Sequence, residues 1–72
     1  MLTGNQLRIC RSILGFTGEE IASQMYVTKQ TLSSIETGKT TKQSSIFYYQ
    51  LFIEKLAVDN EACMQFIRLC DV

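Results

Sequence analysis

Apolar residues recur along the chain at helical spacing, and polar capping residues interrupt them at regular intervals. Leu7, Cys10 and Leu14 stand at i, i+3 and i+7, flanked by Ile9 and Ile13, and the run stops at Gly15. That pattern predicts an amphipathic helix over residues 5–14, ended by a residue free to adopt the left-handed conformation. In Phe16-Thr17-Gly18-Glu19-Glu20-Ile21, Thr17 reads as an N-cap, Glu20 as its capping-box partner and Phe16 as a staple onto Ile21. The same grammar returns in Val27-Thr28-Lys29-Gln30-Thr31-Leu32, with Thr28 as cap and Val27 as staple. The second helix is therefore short, and the third runs to about Thr37 before stopping at Gly38. Lys39 to Ser45 reads as a polar loop. A fourth helix, from about Ser45 to Leu56, is apolar nearly all round. Val58-Asp59-Asn60-Glu61 opens a fifth, with Asp59 as the expected cap, which extends to about Cys70. No segment alternates with period two over a strand's length, so the expected class is all-α.

Composition narrows what such a bundle can be. Seventy-two residues make one small domain, 46% hydrophobic and 19% charged, which suits a globular fold and leaves no room for a large enzyme. No apolar run approaches the ~18 residues that span a bilayer, and Met1-Leu2-Thr3-Gly4-Asn5 has neither a basic lead nor an apolar stretch. Cys10, Cys63 and Cys70 form an odd set without a CxxC pair, and there is no histidine. They read as small buried apolar residues, with no zinc site or disulfide framework implied. A carboxylate cluster and a phosphate-cradling glycine loop are also missing, so an enzyme has little support and no cofactor or small-molecule ligand is expected.

Two short helices joined by a turn at Met25 to Thr28 carry the functional signal. Leu7-Arg8-x-x-Arg11, then Gly15-Phe16-Thr17-x-Glu19-Glu20-Ile21-Ala22, then Val27-Thr28-x-x-Thr31-Leu32-Ser33-x-Ile35-Glu36-x-Gly38-Lys39 resembles the phage-repressor/Cro (XRE-type) family of DNA-binding regulators. The resemblance covers about residues 4–63. It implies a compact five-helix lambda-repressor-like helix-turn-helix domain that binds operator DNA, commonly as a dimer, in the cytoplasm of a bacterium or encoded by a phage or mobile element. It further implies that Arg11 and Glu36 pair between the first and third helices as a structural salt bridge. The expected division is a core over residues 1–56 and a last helix over 57–72.

Helical geometry gives the reading face independently of the family. With Leu32 and Ile35 turned inward at 100° per residue, Gln30, Ser33, Ser34 and Thr37 fall outward and Lys29 projects from the first turn. Amides, hydroxyls and a lysine suit the major groove of double-stranded DNA, where Gln30 can pair with an adenine edge. Lys29, Gln30, Ser33 and Ser34 are the expected base readers. Gly18, Thr28, Thr31, Lys39, Thr40, Thr41 and Lys42 are the expected phosphate contacts, which position the protein without reading sequence.

Three departures from the family pattern bear on these contacts. Tyr26 stands where a turn glycine is usual, Gly18 replaces the usual glutamine, and the loop near Lys42 lacks a proline. The apolar surplus in the last two helices points to a homodimer through the fifth helix and part of the fourth, involving Tyr49, Phe52, Cys63, Phe66, Ile67 and Cys70. Zero net charge argues mildly against a nucleic-acid partner. It divides, however, into six basic and four acidic residues over 1–56, and one basic and three acidic over 57–72. The competing class is a protein-interaction module on the same scaffold with little DNA binding.

Overall fold

The computed structural model describes residues 2–40 and 42–70. Thr3 opens α1 (Gly4–Leu14): its hydroxyl accepts from Gln6 N–H while the Gln6 side chain accepts from Thr3 N–H. The helix stops where Gly15 takes φ 85°, which costs little without a β-carbon. A second reciprocal box, between Thr17 and Glu20, starts α2 (Gly18–Gln24). After Met25 the chain turns through Tyr26, closed by a bond from Val27 N–H to the Ala22 carbonyl at 3.0 Å. Thr28 then caps α3 (Lys29–Glu36), accepting from Thr31 N–H at 3.1 Å.

Two boundaries differ from the sequence expectation. α4 spans Gln43–Ala57, starting two residues before Ser45, because Lys42 is extended and its carbonyl receives Ile46 N–H at 3.3 Å. Gln43 and Ser44 are exposed in that first turn, so their polarity masks the helix without opposing it. In front of α5 (Glu61–Cys70) the cap is Asn60, whose side-chain oxygen accepts from Cys63 N–H at 3.0 Å, and not Asp59. Both are good capping residues. The choice of Asn60 goes with Cys63 packing inward beside Cys10.

The described residues form a five-helix bundle without strands, with extents of 28 × 24 × 16 Å. Helix α1 is its axis and packs on α3, α4 and α5, while α2 packs on α3. Leu7 and Cys10 of α1, Ile21 and Ala22 of α2, Leu32 and Ile35 of α3, Tyr49, Ile53 and Ala57 of α4 and Cys63 of α5 make one core, closed by Leu2 and Met25. Leu2 N–H is tied to the Gln50 side chain at 2.8 Å, which holds the start of the chain on α4. No helix among the described residues is long and apolar enough to cross a membrane.

Candidate nucleic-acid interface

The position of α3 is set from its inner side by three devices. Leu32 and Ile35 enter the core beside Glu36, whose carboxylate is nearly buried. Arg11 grips that carboxylate with two nitrogens, Nε to Oε2 at 2.8 Å and Nη2 to Oε1 at 3.3 Å, and donates from Nη1 to the Phe16 carbonyl at 2.9 Å. The buried Tyr49 hydroxyl donates to the same Glu36 oxygen. One carboxylate thus joins α1, the α1–α2 turn, α3 and α4. The Glu36 hydrogen bond raises the Arg11 pKa further, and burial followed by the Glu36 contact pushes the Tyr49 phenol up. The third device is backbone packing: a β-carbon at Gly4 would collide with the carbonyl oxygen of Ile35. Glycine is needed there to let α1 lie on the end of α3.

The outer side of α3 is left free. Lys29, Gln30, Thr31, Ser33 and Thr37 are exposed, and Ser34 is half-buried with its carbonyl accepting Thr40 N–H at 3.1 Å. Some of these groups already have partners. The Thr28 and Thr31 hydroxyls bond each other at 2.9 Å, and Thr37 donates to the Ser33 carbonyl at 2.8 Å. Lys29 Nζ lies 3.4 Å from Glu19 Oε1 with both side chains well exposed, an ion pair that contributes little to stability. Glu19 therefore sets a negative charge beside Gly18 at the start of α2, where a phosphate was expected.

A cleaner cationic edge follows α3. Lys39 and Lys42 are exposed and Thr40 is half-buried. Lys42 makes no side-chain cap bond and the first turn of α4 contains no acid, so its positive end is uncompensated. Thr41 lies outside the described residues. Leu2, Thr3, Gly4, Gly38, Thr40, Gln43 and Ile46 line an adjoining open cleft of about 470 Å³ with no ionisable side chain among the described residues that line it.

Tyr26 adopts φ 59° and is 94% exposed. The left-handed conformation of the α2–α3 turn thus falls on a tyrosine, strained by ~1–2 kcal/mol relative to glycine. Tyr48 flanks it, donating its hydroxyl to the Met25 carbonyl at 3.1 Å.

The expected dimer surface needs correction. Tyr49 and Cys63 are completely buried in the protomer's own core, Tyr49 because Glu36 receives its hydroxyl and Cys63 because it packs against Cys10. Phe52, Phe66, Ile67 and Cys70 are half-buried against that core. On and between the last two helices the exposed large apolar side chains are instead Phe47, Tyr48 and Leu51 on α4, Val58 just after it, and Leu69 on α5, with Ile13 and Tyr26 exposed elsewhere. None of these five is among the six residues expected at the interface, Phe47 and Leu51 included. The buried α4 positions, Tyr49, Ile53 and Ala57, recur every four residues, but so do the apolar residues Tyr48, Phe52 and Leu56, and that spacing does not mark the pair as outward-facing.

Comparison of the chain with family models, with curated proteins and with solved structures returns no match.

Proposed function

We propose that this protein is a sequence-specific DNA-binding transcriptional regulator of the lambda-repressor-like helix-turn-helix type, acting in the cytoplasm as a pair of copies. In this reading the outer face of α3 enters the major groove, and the protein regulates by occupying an operator, most simply as a repressor. The observation that carries the reading is α3 itself. Its inner side is held by Leu32, Ile35, the Arg11–Glu36–Tyr49 network and the Gly4 contact, while Gln30, Ser33 and Lys29 are left outward. Gln30 and Ser33 read base edges, joined by Lys29 once it leaves Glu19, and Ser34 contributes from the margin of the face. Lys39, Lys42 and the first turn of α4 receive the phosphate backbone, with Gly18, Thr28, Thr31 and Thr40 in supporting positions.

The test is fluorescence anisotropy on random DNA and on a sequence enriched by selection, titrated with salt. A regulator shows log K falling by about 0.9 per phosphate neutralised for each unit of log salt, together with a clear sequence preference. Gln30→Ala weakens the preferred site by about 5–100-fold and random DNA hardly at all, whereas Lys39→Ala weakens both alike. No binding to any enriched sequence at 50 mM salt, or equal losses in the two variants, refutes the reading. The alternative, an interaction module with little DNA binding, draws on Tyr26 and on the carboxylate of Glu19 at the expected phosphate position.

A further inference from the structure

The outward face of α4 is an apolar stripe that the fold leaves uncovered. Buried Tyr49, Ile53 and Ala57 define the inner side of the helix. At 100° per residue the opposite side collects Ser44, Phe47, Tyr48, Leu51, Lys55 and Val58 within a sector of about 100°, and all six are exposed. Phe47 is 51%, Leu51 49% and Val58 71% accessible. By contrast, the exposed positions of α5 are Glu61, Ala62, Gln65, Arg68 and Leu69, among which Leu69 is the one large apolar side chain.

We infer that this α4 stripe is the interface with a second copy of the same chain, the two α4 helices crossing antiparallel on a two-fold axis at Leu51. The inference rests on the two-copy reading above and names the surface that reading needs. Chemistry selects the register. About an axis at Leu51, positions 47 and 55 face each other, so Lys55 of one copy meets the Phe47 ring of the other, a cation–π contact. Position 44 faces 58 and position 48 faces 54, so no like charges are opposed. Moving the axis one turn to residue 55 would set the two lysines against each other. Tyr48, braced on the Met25 carbonyl, and Tyr26 beyond it carry the apolar surface onto the α2–α3 turn.

The area suits a modest dimer. Partly exposed, with large side chains covering ~150–250 Å² each, Phe47, Tyr48, Leu51 and Val58 present on the order of 400 Å² per copy. Doubled and given a polar rim, this reaches the lower end of the ~1,200–2,000 Å² of specific interfaces, which suits micromolar association.

The experiment is sedimentation velocity of the full chain without DNA, from 1 to 200 μM. The expected result is a reversible dimer of the 8.2 kDa protomer. Leu51→Glu, which puts two carboxylates together on the axis, should raise the dissociation constant by at least about 30-fold with helical circular dichroism unchanged, while Leu69→Glu leaves it unaltered. Leu51→Cys in a Cys70→Ser background should cross-link to itself under mild oxidation, and Gln65→Cys in the same background should not. A monomer at 200 μM overturns the inference, as does a dimer broken by Leu69→Glu and not by Leu51→Glu. Because no DNA is present, the two proposals fail separately. A dimer through Leu51 without DNA affinity refutes only the regulator, and a DNA-binding monomer refutes the interface and the pairing of copies but not the reading of DNA by α3.

Discussion

Replacing Glu36 by alanine removes one carboxylate and leaves two groups without their main partner. The Tyr49 hydroxyl, fully buried, loses its acceptor, and Arg11 keeps only the Phe16 carbonyl. An orphaned buried hydroxyl costs about 1–3 kcal/mol. A part-buried guanidinium deprived of its bidentate partner brings the expected total to about 3–5 kcal/mol. A 72-residue domain at ~0.05–0.15 kcal/mol per residue has only about 4–10 kcal/mol in all, so the variant should be largely destabilised. Glu36→Gln keeps one oxygen for Tyr49 and Arg11 Nε but loses the charge and the acceptor for Arg11 Nη2, for about 1–3 kcal/mol. Tyr49→Phe alone should cost about 1 kcal/mol, because Arg11 still satisfies Glu36. The double variant Glu36→Ala/Tyr49→Phe no longer contains the orphan hydroxyl, so it should recover about 1–2 kcal/mol relative to the sum of its parts. Urea denaturation followed by circular dichroism measures all four, at two protein concentrations so that association does not enter the comparison. A Glu36→Ala variant within 1 kcal/mol of the parent, or strict additivity with Tyr49→Phe, would show that the carboxylate does not hold the helices together.

Two further outcomes follow from features away from that network. Tyr26→Gly removes ~1–2 kcal/mol of left-handed strain and returns part of it through the looser unfolded chain. With almost no packing lost, the melting temperature should rise by several degrees, and a fall would show that the Tyr26 ring stabilises the turn. The Cys10 thiol is pushed up from 9.0 to about 12, first by burial and then by neighbouring Cys63, and burial raises Cys63 and Tyr49 as well. Groups whose pKa is higher folded than unfolded contribute stability that is whole below the unfolded value and lost as pH rises toward the folded one. The urea midpoint under reducing conditions should therefore hold between pH 7 and 8.5 and fall steadily above about pH 9, by up to ~1.4 kcal/mol per pH unit for each group. An unchanged midpoint at pH 10.5 contradicts this.

Helix order, the Thr17-x-x-Glu20 capping box and the inward turn of Leu32 and Ile35 depend on neighbours close in sequence, as does the Thr3-x-x-Gln6 box, which the expected start of α1 at residue 5 passes over. Local chemistry of that kind is legible in a single chain. The Arg11–Glu36 pair was legible only through family resemblance, since nothing local links residues 25 apart. What escaped was decided by tertiary competition. Either Asp59 or Asn60 can cap α5, and packing of Cys63 against Cys10 goes with the second. α4 is apolar nearly all round, so hydropathy alone does not say which side is inward. That depends on α1 and on the Glu36 carboxylate, which together bury Tyr49 and leave Phe47 and Leu51 outside. The same ambiguity explains why Tyr49 and Cys63 were expected on a surface they do not reach.

The backbone contact between Gly4 and the Ile35 carbonyl has a consequence for how such a protein changes over time. It fixes the end of α3 by main-chain shape, beyond the influence of any outward side chain. Lys29, Gln30 and Ser33 can therefore drift or be redesigned with little effect on folding, since surface changes away from such contacts usually stay within about 0.5 kcal/mol. Scaffold and face are physically separable. One glycine and one carboxylate hold the chassis, while a handful of neighbouring outward positions is free to change.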